Sequence, residues 1–487
     1  MGRGVPGRGP LHTHAPRVKG MSIIARQETP DQRTGRAGHA ARPRRLVFTA
    51  GDVILVVVIN AALVVAMWVR HGALNQVGSA SAKLTAAGQL TALVGTYAVL
   101  VQVLLMSRSP WLERRFGMDG LAQWHRWLGF GVTILISAHV ILTTVGYALG
   151  NGNSVLAEAW NLVTTYPYVL MATAATGLLI MVAVTSLRMA RRRLTWETWR
   201  FLHLYAYLVI ALAFGHELAV GTDFTDDAIA RWYWIVLYVA VGLCLLAFRV
   251  GHPLRMSLRH QLRLTQIVPE APGVVSFYVT GRELDQLQAR AGQYFRWRFL
   301  TRDGWWRTHP FSLSAPLNNR FLRLTIKGIG DDSRGLQGLH PGTRVAVEGP
   351  YGLFTAQRQR RSKVLLVAGG IGITPLRALI EDIPAKKNAI TLIYRARSWD
   401  DVVFRDELEK LIRERRGAIH YLIGQRGTPE LPDDPLSEQT LRGLVPDVAS
   451  RDVFVCGPAS MMQRMQRVLR QLGVPEQQIH LERFALL

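Results

Sequence analysis

Six long apolar segments separated by polar loops dominate the first half of the chain. They lie at about residues 51–69, 85–106, 121–149, 164–187, 196–219 and 232–249. Each is long and apolar enough to cross a hydrocarbon core of about 30 Å as one α-helix. The pattern therefore predicts an all-α, six-helix transmembrane bundle over residues 47–250.

After about residue 255 the pattern changes to short apolar segments that are typical of a soluble protein. Residues 255–358 contain strand-like runs such as GVVSFYVTG and FLRLTIKGI, separated by glycine, proline and aspartate, which predict a small antiparallel β-barrel. Over residues 361–487, strands alternate with glycine loops and helices, an order that predicts an α/β domain with a parallel nucleotide-binding sheet. The predicted fold is therefore multidomain.

Residues 1–46 are rich in arginine, glycine and proline, and they predict a disordered basic tail. The formal net charge of the chain is +24. Arginine is concentrated in this tail and in alternate loops, which favours a cytoplasmic membrane surface over nucleic acid and places both termini in the cytoplasm. No apolar run with a cleavage site precedes the first span, so we expect no cleaved signal peptide, with Met1 or Met21 as the start.

Two cysteines, Cys244 and Cys456, lie far apart in the sequence. This spacing excludes a zinc ribbon and an iron–sulfur cluster held by four cysteines of this chain. Electron transfer by this protein would therefore depend on haem or on organic cofactors.

Two of the apolar segments each carry a pair of histidines: His125 with His139, and His203 with His216. A histidine inside a membrane span is costly and indicates function by default. Spacings of 14 and 13 residues correspond to about 20 Å along a helix, too far for one shared metal ion. We therefore predict two haem sites with two axial histidines each, His125 with His203 and His139 with His216. The alternative is four histidines that each bond a carbonyl or a neighbouring helix.

Four motifs follow in order in the soluble half: THPFSLSAP (308–316), GGIGITP (369–375), CGPASMM (456–462) and ERFALL (482–487). A glycine loop between a strand and a helix lets the backbone approach a pyrophosphate. The ordered set resembles the ferredoxin–NADP reductase superfamily. Behind a six-helix, four-histidine membrane domain, the whole resembles the transmembrane ferric reductase and NADPH oxidase flavocytochromes. The resemblance implies FAD, NADPH or NADH, and two b-type haems as cofactors.

The resemblance also implies roles for individual residues of the soluble half. The flavin would contact Tyr294, His309 (where the soluble reductases usually have arginine), Phe311 and Ser312, and its pyrophosphate would contact Lys327, Gly328 and Ser333. The nicotinamide nucleotide would contact Gly369, Gly370, Gly372, Thr374, Cys456 and Gly457. Phe484 would cover the flavin until the nicotinamide displaces it, and together with Ser312 and Cys456 it would take part in catalysis.

The choice between NADPH and NADH rests on the segment YRARSWDD. Arg395 and Arg397 lie where an adenosine 2′-phosphate would bind, and the guanidinium fork suits that dianion. Asp400 and Asp401 follow directly, so NADH stays open beside the favoured NADPH.

These parts predict a membrane oxidoreductase that passes electrons from cytoplasmic NAD(P)H through FAD and two haems to an extracytoplasmic acceptor. Ferric iron is the favoured acceptor, while dioxygen (giving superoxide) or a periplasmic protein are alternatives. A further alternative is a membrane-anchored flavin reductase without haem, whose histidines move protons or copper. The expected partners are the nucleotide, the acceptor and membrane lipid, with no nucleic acid.

Overall fold

The computed structural model describes residues 49–71, 78–425 and 434–483, and the predicted basic tail lies outside them. Six helices in it are long and apolar enough to cross a membrane, which confirms the six predicted spans. They are α1 (Ala50–Arg70), α2 (Ala80–Leu105), α3 (Pro110–Asn151), α5 (Val169–Ser186), α7 (Trp196–Val220) and α9 (Ala228–Leu246). Shorter helices lie between them: α4 (Val155–Thr165), α6 (Arg188–Arg191) and α8 (Thr222–Thr225).

Two of the membrane helices extend beyond their predicted spans on the side of the soluble half. Helix α3 begins at Pro110 rather than near residue 121, and Gly117, with a φ of 69°, bends it. Helix α9 continues through a π-helical turn, Ala247–Gly251, into α10 (His252–His260). Both extensions contact the soluble domains, so the membrane and soluble parts are joined by continuous helix rather than by flexible loops.

Helices α2 and α3 pack closely because each places glycines against the other. A Cβ atom on Gly88 would lie 2.5 Å from Thr143 Oγ1, and one on Gly146 would lie 2.5 Å from Thr85 Oγ1. Small residues at such contacts let helix backbones approach each other inside a membrane. The contact brings the Gly88 carbonyl to the face of α3 that carries the histidines.

The first soluble domain consists of two three-stranded antiparallel sheets. One has the order β1-β2-β5, from β1 (Arg263–Ala271), β2 (Val274–Thr280) and β5 (Leu322–Lys327). The other has the order β4-β3-β6, from β3 (Tyr294–Phe299), β4 (His309–Ser312) and β6 (Val345–Tyr351), and α11 (Asp331–Leu336) precedes β6. Isolated bridges connect Arg263 to Arg344 and Leu313 to Leu324. The sheets do not form one continuous hydrogen-bonded barrel, so the closed barrel stays a prediction.

The last domain is a five-stranded parallel sheet in the order β11-β10-β7-β8-β9, as the alternation of strands and helices predicted. Its elements are β7 (Val364–Gly369), α12 (Ile373–Asp382), β8 (Ile390–Ala396), α13 (Arg405–Glu414), β9 (Ala418–Ile423), α14 (Glu438–Leu444), β10 (Asp452–Gly457), α15 (Ala459–Gln471) and β11 (Ile479–Arg483). Central strand β7 is buried throughout, as expected when helices cover both faces of a parallel sheet. The chain reverses its winding direction between β7 and β10, where ligands bind in such sheets.

Candidate functional site

The first histidine pair brings the imidazole rings of α3 and α7 face to edge. The ring centroids of His125 and His203 are 5.9 Å apart, with an interplanar angle of 67°. His125 Nδ1 donates a hydrogen bond to the Gln102 carbonyl at 3.1 Å, which leaves Nε2 as the free lone pair. The ring of Trp199 stacks on that of His203, with 4.9 Å between the ring centroids. The pair is therefore preorganised, with one ring bonded to the backbone and the other packed against an indole.

The second histidine pair lies further along the same two helices. His139 Nδ1 donates to the Gly88 carbonyl at 2.9 Å, so its Nε2 is also free. His216, on α7, is close enough to His139 for a charge on one ring to act on the other. The backbone carbonyl of Tyr168 is near His216. The buried Nδ1 atom of His216, however, has no partner in hydrogen-bond geometry among the described residues. The structure thus brings the ring of His125 next to that of His203, and it places His139 and His216 on the same two helices.

The dimensions of the first pair suit a metal held between two imidazoles. Two metal–nitrogen bonds of about 2 Å each, with each ring centre about 1 Å behind its nitrogen, give a centroid separation of about 6 Å. The 5.9 Å separation of His125 and His203 agrees with that value. A ligating histidine usually donates its other N–H to a carbonyl, as His125 and His139 do. Across residues 49–71, 78–425 and 434–483 no group of three potential metal ligands lies together. Two histidines are the number of protein ligands that a bis-histidine haem iron would need.

The predicted flavin residues lie where β3 and β4 pair, but on two faces of that pair. Tyr294 and Ser312 share one face, whereas His309 and Phe311 are on the other, opposite the buried Trp297 and Phe295. Tyr294 lies opposite Ser312 in the register, and the rings of His309 and Phe311 are nearly parallel, with centroids 6.1 Å apart. Ser312 Oγ is buried and has no hydrogen-bond partner among the residues that the structure describes. Because a buried hydroxyl without a partner is costly, this orphaned atom fits a ligand such as the flavin. Burial lowers the pKa of His309, so its imidazole would face the flavin as a neutral group.

The residues expected at the flavin pyrophosphate already have partners within the protein. Lys327 Nζ pairs with Asp401 Oδ1 at 2.7 Å, across to the last domain. Ser333 Oγ accepts hydrogen bonds from the backbone N–H groups of Ile329 and Gly330, at 3.0 Å each. Ser333 therefore closes the loop that contains Gly328, and Lys327 would have to leave Asp401 in order to contact a phosphate.

The glycine loop after β7 lies directly against the end of β10. A Cβ atom on Gly372 would lie 2.2 Å from the Cys456 carbonyl oxygen, and one on Gly457 would lie 3.0 Å from Gly369 Cα. Only glycine permits this approach, which brings the predicted nucleotide residues of the two strands together. Gly370 has a φ of 52°, and Thr374 Oγ1 donates to the Ile371 carbonyl at 3.1 Å. Burial raises the pKa of Cys456 well above its ordinary value, so its thiol is neutral.

Arg395 and Arg397 differ in their surroundings, and the third remaining residue, Phe484, lies outside the described residues. The Arg395 guanidinium donates to the carbonyls of Leu422 (3.1 Å) and Gly424 (2.7 Å), whereas the side chain of Arg397 is exposed. Of the two, Arg397 is the one whose side chain is open to a nucleotide. Phe484 lies beyond Arg483, outside the described residues.

The sequence prediction missed a carboxylate that lies within the membrane helices. Glu217, directly after His216, accepts hydrogen bonds from Thr96 Oγ1 on α2 and from Tyr238 OH on α9. The signal was present, since a charged residue that continues an apolar helical segment indicates a buried partner.

Comparison with known proteins gives two family matches. Residues 91–214 match the family described as "Ferric reductase like transmembrane component", and residues 366–467 match "Oxidoreductase NAD-binding domain". The first contains His125, His139 and His203 and ends two residues before His216, and the second contains the glycine loop and Cys456.

Individual relatives match the soluble half. The chain is 27% identical over 237 residues to a flavohemoprotein of Halalkalibacterium halodurans, covering 44% of this chain and 57% of that protein. It is 32% identical over 184 residues to ferredoxin–NADP reductase B of Sorangium cellulosum, covering 35% and 75%. A solved structure, the FAD/NAD-binding domain of nitric oxide dioxygenase from Vibrio cholerae, is 23% identical with a TM-score of 0.39, covering 46% of this chain and 98% of that one. The chain thus spans little more than half of the Halalkalibacterium protein.

Proposed function

We propose a function on the basis of the family to which this chain belongs, the membrane oxidoreductases that join a ferric reductase-like transmembrane component to a ferredoxin–NADP reductase-type flavin and nicotinamide domain. In this proposal the protein carries electrons from cytoplasmic NAD(P)H, by way of FAD and two b-type haems, to an acceptor outside the cytoplasm. Ferric iron is the acceptor that we propose first. The observation that carries the proposal is the pairing of His125 and His203 at 5.9 Å.

The soluble domains would hold the nucleotide and the flavin next to each other. FAD supplies the conversion between a two-electron hydride and single electrons. Gly369 and Gly372 let the backbone approach the nucleotide pyrophosphate, and the neutral Cys456 thiol borders the nicotinamide. The free hydroxyl of Ser312 would donate a hydrogen bond to the flavin, which relieves its burial without a partner in the protein.

The membrane helices would hold two one-electron sites in series. Histidine-ligated haem iron supplies such sites, and α3 and α7 each contribute one ligand to each of them. The separation of His125 from His139 along α3 is about 20 Å at 14 residues, which places the two sites at different depths. If one histidine from each helix held each iron, no position on the metal would stay open for the acceptor, and we expect the acceptor to bind near the outer ends of these helices.

A second candidate function is the reduction of dioxygen to superoxide. The spacing of 14 residues in one helix and 13 in the other resembles that of the NADPH oxidases, and this observation favours it. The orientation that both candidates need, with the soluble domains in the cytoplasm, is supported by the arginine-rich loops on that side.

The two candidates differ in what happens to oxygen. Purified protein in detergent would be given NADPH and a ferric chelate, with ferrozine to trap ferrous iron, in the presence and absence of oxygen. We expect ferrous iron to form without oxygen and with little oxygen uptake in air. Cytochrome c reduction that superoxide dismutase abolishes would instead support the oxidase. His216→Ala serves as the control, because it should stop either reaction while NADPH still reduces the flavin.

A further inference from the structure

A cluster of charges, with two buried arginines and a carboxylate whose side chain is 31% exposed, joins the flavin domain to the nicotinamide domain. Arg323 on β5 and Arg377 on α12 are each only 6% exposed, and both guanidinium groups contact the carboxylate of Glu407 on α13. Arg323 Nη2 lies 3.1 Å from Glu407 Oε2, and Arg377 Nη2 pairs with Oε1. We call these three residues the interdomain clasp.

The clasp also holds the segment that follows the flavin serine. The Ser314 carbonyl accepts hydrogen bonds from Arg323 Nη2 at 2.9 Å and from Arg377 Nη1 at 3.1 Å. Ser314 Oγ accepts from Arg323 Nε at 3.2 Å and from Thr325 Oγ1 at 2.8 Å. Arginines from two domains therefore converge on one fully buried residue, two positions after Ser312.

The other end of the clasp is attached to the nucleotide loop. Arg377 lies on α12 three residues after Thr374, on the helix that opens directly from the glycine loop. A displacement of α12 would therefore move the loop that faces the nucleotide. The clasp is a short rigid connection between the residues expected around the flavin and those expected around the nicotinamide.

Glu407 is the carboxylate that the arginines of both domains share. Two buried guanidinium groups are stable only when a negative charge compensates them, and removal of one partner leaves a buried charge without compensation. Arg377 has a second partner in Glu381, whereas Glu407 contacts the arginines of both domains. Because the guanidinium fork is planar and binds a carboxylate in a defined geometry, Glu407 fixes a position as well as a charge.

We propose that Glu407 is a positioning residue for hydride transfer, acting through Arg323 and Arg377 to set the distance between the bound nicotinamide and the flavin. This inference rests on the proposed function. In that step NAD(P)H loses one hydride from its nicotinamide ring and becomes NAD(P)⁺, and the flavin gains the two electrons and the proton of that hydride. Glu407 touches neither reactant, so its effect is on geometry alone.

The test is the rate at which NADPH reduces the flavin of the full-length protein under anaerobic stopped-flow conditions. Glu407→Gln should slow this step by roughly 10- to 100-fold, since displacement of reacting groups by about 1 Å can cost that much. FAD content and the NADPH concentration at half-maximal rate should change little, because the nucleotide contacts are intact. Glu407→Asp should recover part of the rate. Glu414→Gln, on the exposed end of the same helix, is the matched control and should match wild type.

A second readout distinguishes positioning from general stability. With NADPH deuterated at the transferred position, the kinetic isotope effect on flavin reduction should rise in Glu407→Gln, because hydride transfer becomes more rate-limiting. A variant that loses thermal stability but keeps the wild-type rate and isotope effect would overturn the proposal. Should Glu407→Gln fail to fold, Arg323→Lys keeps the positive charge without the fork and should slow the same step; a wild-type rate there would overturn it too. If neither NADPH nor NADH reduces the wild-type flavin, the proposed function fails first and this inference fails with it.

Discussion

Two arginines at the end of β8 differ in what surrounds them, and that difference predicts nucleotide preference. Arg395 is bonded to the carbonyls of Leu422 and Gly424, whereas Arg397 is exposed. Arg397→Ala should raise the KM for NADPH by about tenfold, the loss expected for one charge-assisted contact to a phosphate, and leave the KM for NADH unchanged. Steady-state assays with both nucleotides would measure this. An equal change for both would mean that Arg397 does not contact a 2′-phosphate.

The carboxyl group of Glu482, whose pKa is raised, should make the stability of the protein depend on pH. Burial raises its pKa from 4.5 to about 8, and the nearby carboxylates of Asp119 and Glu113 add to the shift. Because the folded state holds this proton more tightly than the unfolded state, its contribution to stability is full below about pH 4.5 and is lost as the pH rises through about 8. Glu482→Gln should therefore melt close to wild type near pH 5 and above it near pH 9. A constant difference across that range, or no difference beyond that of Glu414→Gln, would contradict this.

At the level of secondary-structure elements, the glycine contacts between α2 and α3 have a direct consequence for His139, the outer histidine of α3, which lies farther than His125 from the end of α3 that contacts the soluble half. Gly88→Ala would place a methyl group 2.5 Å from Thr143 Oγ1, so the helices must separate and the Gly88 carbonyl must leave His139. Overpacking of this kind costs about 1–3 kcal/mol. We expect a lower melting temperature in detergent and a selective loss of the outer haem signal. Gly131→Ala on α3, where a Cβ atom meets nothing within 4 Å, should leave both unchanged.

The elements that sequence patterns predicted well are those defined by local chemistry. Apolar length predicted the six spans, and the strand–glycine–helix order predicted the parallel sheet of the last domain. The ends of the spans were less predictable, because residues 110–120 are too polar for a membrane and form helix through contacts with the soluble half. Leu353, for example, packs on the bend at Gly117.

The candidate site residues divide in the same way, into those that the local sequence indicates and those that depend on contacts between distant parts of the chain. The neighbourhood of His125 and His203 was predictable because histidines inside apolar spans and the charge of the loops are both evident in the local sequence. The pairing of Lys327 with Asp401, by contrast, joins residues 74 positions apart, and nothing in the local sequence indicates it. The interdomain clasp was missed for the same reason: Arg323, Arg377 and Glu407 lie far apart in the sequence, and only the fold brings them together and buries the two arginines.

At the scale of the whole molecule, polar contacts connect the membrane and soluble parts. Arg108, in the loop between α2 and α3, pairs with the buried Glu348 on β6. Gly352 N donates to Glu113 Oε1 at 3.3 Å, and Glu113 lies on the same helix as His125. This junction therefore holds the flavin domain against the helix that carries His125.

Loss of the junction should separate two electron-transfer steps. Arg108→Ala should leave flavin reduction by NADPH near the wild-type rate but slow the haem reduction that follows, because only the distance between the domains changes. Stopped-flow spectra follow both steps in one experiment. Arg334→Ala, which removes an exposed pair with Asp331 within α11, is the control. Equal slowing of both steps, or of neither, would show that Arg108 does not set this distance.

The proposed function requires above all that the two histidine pairs hold haem and that the nicotinamide nucleotide can reduce this haem. The most direct measurement is the anaerobic absorption spectrum of the purified full-length protein before and after NADPH is added. We predict two b-type haems per chain, both reduced by NADPH, with one of them lost in His139→Ala and in His216→Ala. A protein that contains reducible FAD but has no haem absorption in any preparation would contradict the central claim.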